Sequence, residues 1–174
     1  MIIRTANSDD VPAVVAIYGH HVRHGLGTFE EDAPNDAEIT RRMADVTSHA
    51  LPYLVAVDGG GAVLGFAYAA PFRLRSAYRF TVEDSVYIAP EAQRRGVGKA
   101  LLEEVITRCE AMDLRQMIAV IGDSGNAGSI GLHAALGFEH AGVGRALGFK
   151  FDRWVDIVWM QRALNAGDRT APVR

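Results

Sequence analysis

Apolar residues alternate along this chain between a period of about 2 and a period of about 3.6, and each change of period marks a new element. Ile2 to Ala6 reads as a short strand. Val11, Val14, Val15 and Tyr18 then recur at helical spacing. They predict a helix capped by Ser8 or Asp9, with Pro12 in its first turns and Gly25 and Gly27 at its end. Asn35 to Glu38 has the form of a capping box and opens a second helix through Ile39, Met43 and Val46. Leu51 to Val57 and Ala62 to Ala70 read as strands joined by the turn Asp58-Gly59-Gly60-Gly61, and Pro71 ends the pair. Arg79 to Ile88 is a longer strand. Ala100, Leu101, Val105, Ile106 and Cys109 lie on one side of a helix from Gly98 to Met112. Gln116 to Ile121 is an apolar strand, and Gly122 to Gly128 is a loop. Ser129 to Leu136 is a short helix ended by Gly137. Phe138 to Leu147 and Trp154 to Arg162 form a last pair of strands.

The resulting order is β-α-α-β-β-β-α-β-α-β-β. Hairpins combined with one central βαβ unit predict an α+β domain, with helices flanking a mixed, partly antiparallel central sheet. One domain is expected over residues 1–164, followed by a polar, frayed tail over 165–174. The 174 residues suffice to bury a substantial core. A net charge of -3 offers no case for nucleic-acid binding. No apolar run reaches ~18 residues, so no membrane span is expected. The first residues lack the form of a signal peptide. Cys109 is the single cysteine, which excludes a disulfide within the chain and suits a reducing, cytoplasmic setting. It is expected to be a buried structural thiol. His20, His21 and His24 sit at helical spacing without a further anchored ligand, so no metal site is expected.

The chemistry concentrates where the fourth strand runs out. Val86, Tyr87 and Ile88 lead through Pro90 into Gln93-Arg94-Arg95-Gly96-Val97-Gly98-Lys99, and a long helix follows at once. A turn feeding a helix N-terminus points free N–H groups and the positive end of the helix dipole at an anion. Gly96 and Gly98 allow close backbone approach, and Arg94, Arg95 and Lys99 add charge. The spacing is neither that of the nucleotide-hydrolase phosphate loop nor that of the dinucleotide fingerprint.

Gln93 to Gly98 instead resembles the Gln/Arg-x-x-Gly-x-Gly/Ala loop of the GCN5-related N-acetyltransferases. In that family the loop holds the pyrophosphate of acetyl-coenzyme A. Asn126-Ala127-Gly128-Ser129 through His133 to Gly137-Phe138 resembles a second family pattern. There the Asn bonds the pantetheine arm, and a Tyr often protonates the departing thiolate. His133 stands in place of that Tyr. An imidazolium is competent for the same task. The element order also resembles the family fold over roughly residues 2–163. The resemblance implies acetyl-CoA as cosubstrate, held by Val86, Tyr87, Ile88, Gln93 to Lys99 (Val97 included), Asn126 and Ser129.

Further segments resemble one branch, the phosphinothricin and methionine sulfoximine/sulfone N-acetyltransferases. They are Gly27-Thr28-Phe29-Glu30, Ala70 to Tyr78, Thr81 to Tyr87, Ala119 to Gly122 and Gly148 to Asp156. The branch implies a small amino acid or toxic analogue as acceptor, acetylated at its α-amine, with a place in antibiotic or herbicide resistance. It implies an acceptor site lined by Phe72, Arg73, Leu74, Arg75, Glu83, Asp84 and Ser85, with Phe29 and Trp154 as walls. It also implies a homodimer. Guanidiniums at Arg73 and Arg75 suit a carboxylate. Glu83, a carboxylate inside an apolar strand, suits the general base that an ammonium acceptor requires. Strand alternation places Glu83, Ser85 and Tyr87 on one face and Asp84, Val86 and Ile88 on the other. No Ser or Cys sits in a nucleophile motif, so direct transfer is expected. Two alternatives stay open. One is an N-acetyltransferase for a peptide N-terminus, polyamine or aminoglycoside; the other is a non-catalytic acyl-CoA-binding module.

Overall fold

Seven strands and four helices form among the described residues, in the expected order. In the computed structural model, which describes residues 1–172, they are β1 (Ile2–Thr5), α1 (Val11–His24), α2 (Asp36–Ser48), β2 (Tyr53–Val57), β3 (Val63–Pro71), β4 (Thr81–Ile88), α3 (Val97–Ala111), β5 (Gln116–Gly122), α4 (Ala127–Ala135), β6 (Glu139–Lys150) and β7 (Arg153–Ala163). The strands make one sheet in the order β1-β2-β3-β4-β5-β7-β6. Every neighbouring pair is antiparallel except β4 and β5. A parallel pair needs a crossover, and α3 supplies it.

The faces of the sheet follow from alternation along β4. Tyr87 meets Tyr18 of α1 edge-on, with ring centroids 4.8 Å apart. Its neighbour Ile88 points the other way, towards the start of α3 and α4, where it lies beside Gly98 and Leu132. So α1 and α2 cover one face, and α3 and α4 the other. The stripes that bury these helices are those of the sequence: Val11, Val14 and Tyr18 on α1, Ile39, Met43 and Val46 on α2, and Leu101, Val105, Ile106 and Cys109 on α3. Val15 and Ala100 sit at the edge of their stripes, only partly covered.

Three details differ from expectation. Asn7, rather than Ser8 or Asp9, caps the entry to α1: it accepts from the Asp9 N–H, while Asp10 reaches back to the Asn7 N–H and opens a single 3-10 turn ahead of the helix. Arg79 and Phe80 are not strand; they follow a short 3-10 turn over Ser76–Tyr78. The tail beyond residue 164 is also tied down as far as Ala171. Asn165 donates to the carbonyls of Glu110 and Leu114, and Arg115 to Gly167, Thr170 and Ala171. Residues 173–174 of the expected tail lie outside the described residues.

The feature that makes a site is a parting of strands. β4 and β5 pair only from Thr81↔Gln116 to Asp84↔Ala119. Beyond that register each is held by its outer neighbour, β4 by β3 as far as Ile88↔Gly65 and β5 by β7 as far as Gly122↔Ile157. The sheet therefore opens as a V with Asp84 at its vertex. Along both arms, from Ser85 to Ile88 and from Val120 to Gly122, the two strands face a gap instead of each other.

Candidate functional site

The V is the mouth of a cleft of about 700 Å³. Ser85, Val86, Tyr87 and Ile88 line one side, and Val120 to Gly122 the other. Gln93, Arg94, Gly96, Val97, Gly98 and Lys99 close one end, and Asn126, the N-cap of α4, lines the cleft with Ser129 and His133 of that helix. Arg94 and Gly96 both adopt left-handed backbone, at φ 58° and 81°. Such alternation turns successive N–H groups inward as an anion-binding nest. Gly96 is the N-cap of α3 and supplies no side-chain cap. The first N–H groups of the helix are therefore open to a ligand's phosphates. A Cβ on Gly98 would meet only Leu132 and Ile88, at ordinary contact distances of 3.4 and 3.5 Å. The packing of the chain itself therefore does not demand glycine there. Arg95 departs from its expected place: it does not line the cleft and lies within electrostatic reach of Asp58.

At the vertex, His133 and Asp84 form a buried pair. His133 Nε2 lies 3.0 Å from Asp84 Oδ2, and Nδ1 lies 2.7 Å from the Ser129 carbonyl. Both partners are acceptors, so the ring satisfies both only with a proton on each nitrogen. Burial alone would lower the His133 pKa, but the Asp84 hydrogen bond and charge outweigh it and hold the imidazole above its ordinary value. Among the described residues Asp84 Oδ1 has no hydrogen-bond partner. Asp84 was expected at the acceptor. It lies instead on the α3–α4 face, because strand alternation turns it away from Glu83.

Glu83 is on the α1–α2 face, half-buried. Desolvation raises its pKa, against the opposing charge of Arg73, so it titrates nearer neutrality than an ordinary carboxylate. Arg73 stacks on Phe72, its guanidinium carbon 4.2 Å from the ring centroid. Arg75 is exposed, and Leu74 is 93% exposed. Ser85 stands two residues along from Glu83 on the same face. Phe29 lies against Gly148 of β6 so closely that a Cβ there would overlap its ring. Trp154 is 65% exposed and packs edge-on against Phe149. Cys109 is fully buried, its thiol pushed up to about 12 by desolvation, as befits an inert packing residue.

Several contributors carry no signal in the sequence. His21 points Nε2 at the Ile88 carbonyl, 2.8 Å away, and so pins the end of β4. Lys150 is 2% exposed and donates to the carbonyls of Gly25 and Thr28, at 3.0 and 2.8 Å. It fastens the α1–α2 loop, which borders the cleft at Gly25, Leu26 and Gly27, to β6. Tyr18 donates to Glu30, which also accepts from Arg42. Among the described residues no cluster of three or more His, Cys, Asp or Glu could hold a metal ion.

A profile of the acetyltransferase (GNAT) family matches residues 17–138, more than half of the chain. The chain belongs to this family. A phosphinothricin N-acetyltransferase of Alcaligenes faecalis is 58% identical over 170 residues, 98% of this chain and 86% of that protein. A methionine sulfoximine/methionine sulfone acetyltransferase of Pseudomonas aeruginosa is 39% identical over 173 residues, 98% of both chains. Among solved structures, a GNAT-superfamily phosphinothricin acetyltransferase of Sinorhizobium meliloti in complex with AcCoA superposes with a TM-score of 0.97. It is 48% identical and covers 99% of this chain and 93% of that one. The GNAT chain described here is an acetyltransferase with acetyl-CoA as its acetyl donor, and its open-ended V and left-handed loop fit that cosubstrate.

Proposed function

We propose that this GNAT enzyme acetylates the α-amine of a small amino acid or of a toxic analogue of the phosphinothricin or methionine sulfone kind. The observation that carries this reading is the half-buried Glu83 carboxyl, next to the vertex of the V and within electrostatic reach of the Arg73 guanidinium. A base for an ammonium and a cation for a carboxylate stand together where an amino acid would present both groups. The similarity to the Alcaligenes and Pseudomonas enzymes supports the same acceptor class.

In this reading Gln93 to Lys99, Asn126 and Ser129 hold the coenzyme, and Val86 to Ile88 offer backbone groups to its arm. Glu83, directly or through water, takes the proton of the bound ammonium. The free amine then attacks the thioester carbonyl, and the carbon–nitrogen bond forms. The carbon–sulfur bond breaks with its electron pair on sulfur. His133 offers positive charge and a proton to the departing thiolate, and the proton that nitrogen sheds restores it through solvent. Phe72 and Phe29 shape the acceptor side.

A homodimer fits the exposed apolar side chains Leu147, Phe149, Phe151 and Trp154 on the hairpin of edge strand β6 with β7. A cytoplasmic enzyme that confers resistance by masking toxic amines is the setting this chemistry suits.

The test is thiol release from acetyl-CoA over a panel of amines. Free amino acids should react, while their carboxyl esters and the Arg73→Ala/Arg75→Ala variant should both lose about 1.5–3 kcal/mol of a charge-assisted bond. That loss is roughly tenfold to a hundredfold in acceptor efficiency. Parental rates with both ester and variant would reject the amino-acid reading.

A further inference from the structure

On the Glu83 face of the sheet a second cavity of about 200 Å³ lies under α2, apart from the coenzyme cleft. Stacked rings form its floor. Tyr53 and Tyr68 have centroids 5.0 Å apart and planes 7° apart; Tyr53 and Phe66 are 5.9 Å apart at 1°. Tyr18, Arg42 and Ala70 complete the walls.

The sheet register places this cavity next to the chemistry. Ala70 stands directly opposite Glu83, and Tyr68 opposite Ser85. Paired residues share a face, and adjacent strands lie ~4.8 Å apart. An amine held at Glu83 therefore has its α-carbon about one strand spacing from the cavity rim. A chain of three or four atoms reaches inside. An apolar cavity of roughly 150 Å³ holds benzene, so this one has room for such a chain or for a ring.

Its charges are already matched. Arg42 bonds Glu30 and Glu38, each at 2.7 Å, and Arg41 bonds Glu38 at 2.8 Å. Asp45 adds a further carboxylate to the lining. An anionic head would leave water without finding an uncommitted cation, which is costly. Tyr53 is a donor free to meet a ligand: it is 2% exposed, and its hydroxyl has no hydrogen-bond partner among the described residues, whereas the Tyr68 hydroxyl is within reach of Ser85. Burial raises the Tyr53 pKa, so it remains an O–H.

We propose that this cavity receives the acceptor's side chain, and that it selects uncharged, largely apolar side chains tipped with a hydrogen-bond acceptor over anionic ones. The inference rests on the amino-acid reading above and narrows it. Sulfone or sulfoxide oxygens accept from Tyr53; a phosphinate brings a charge that the site does not match.

The experiment compares kcat/KM for methionine sulfone, methionine, alanine and phosphinothricin in the parent, Ala70→Leu and Tyr53→Phe proteins. Circular dichroism and acetyl-CoA binding serve as folding checks. The parent should favour methionine sulfone over phosphinothricin by about tenfold or more, and a reversed preference overturns the charge argument. Ala70→Leu fills the rim, so the ratio of methionine sulfone to alanine should fall about tenfold. Tyr53→Phe should lower the ratio of sulfone to methionine severalfold. An unmoved first ratio overturns the site, and an unmoved second ratio overturns its hydrogen-bonding donor. A parent inactive on all four amino acids fails the underlying reading instead.

Discussion

In the proposed division of labour, backbone builds the donor cleft, whereas side chains build the acceptor site on the opposite face of β4. At the donor end, the arms of β4 and β5, the left-handed turn at Arg94 and Gly96, and the start of α3 present N–H and C=O groups whose positions the fold itself sets. On the acceptor face, Glu83, Arg73 and Phe29 come from a strand, a loop and a second loop, each held by its own packing. The first half can serve one invariant ligand, because its geometry costs nothing extra to maintain. The second can change its ligand one side chain at a time. Substitutions on the acceptor face should therefore alter turnover and choice of amine, and substitutions at the donor end should alter coenzyme affinity.

The sharpest break comes from Glu83. Glu83→Gln keeps the shape and removes the base, so turnover should fall by ~10²-fold or more. Coenzyme affinity should stay near the parent value. The parent's rate should rise with pH through the Glu83 ionisation, which desolvation places above an ordinary carboxyl. The variant should lack that rise, and its deficit should shrink at high pH, where amine is already free. Steady-state kinetics from pH 5 to 10 decide the matter. Parental turnover in the variant would leave simple proximity of amine and thioester as the mechanism.

The same contrast explains what could be read without a structure. The donor loop is contiguous, so strand, Pro90, glycines and helix appear in order within one stretch and their meeting in space is assured. Element types were legible for a similar reason, since each helix and strand carries its own period. Asp84 was not legible as a partner of His133, because 49 residues separate them and only strand pairing brings them together. Arg95 looked equivalent to Arg94, yet a backbone turn sends it elsewhere. Lys150 lies 125 residues from its Gly25 acceptor. Nothing in its neighbours announces a buried cation.

A smaller effect should come from the donor end. Gly98→Val adds bulk where the coenzyme's pyrophosphate approaches, and overpacking of that kind costs about 1–3 kcal/mol, roughly tenfold to a hundredfold in the Michaelis constant for acetyl-CoA. The acceptor's constant should move far less. The surrounding chain leaves ordinary contact room for the new Cβ, and circular dichroism checks that the fold accommodates the two further methyls. Calorimetric titration with acetyl-CoA provides the check. Unchanged affinity in folded protein would take the loop out of the coenzyme site.

The smallest effect belongs to the vertex, where the two halves meet. A thiolate is a tolerable leaving group and water can protonate it, so Asp84→Asn and His133→Ala should each lower turnover by only about tenfold or less. Charge state is the more telling quantity. The Asp84 carboxylate and the Ser129 carbonyl overcome burial and raise the His133 pKa from 6.5. A group raised on folding contributes stability that is complete below its unfolded value and is lost as pH rises through the folded one. Asp84→Asn should therefore cost about 1–3 kcal/mol near pH 6 and less near pH 9. Glu83 and the Cys109 thiol are the other titratable groups near the pair. Cys109, pushed up to about 12, stays neutral throughout that range. Urea unfolding at both pH values measures the gap, and the His133 ring proton followed by NMR gives the titration directly. A parental His133 that titrates at its ordinary value would mean that Asp84 does not hold the charge. The departing sulfur would then face a neutral ring, with its proton coming from solvent.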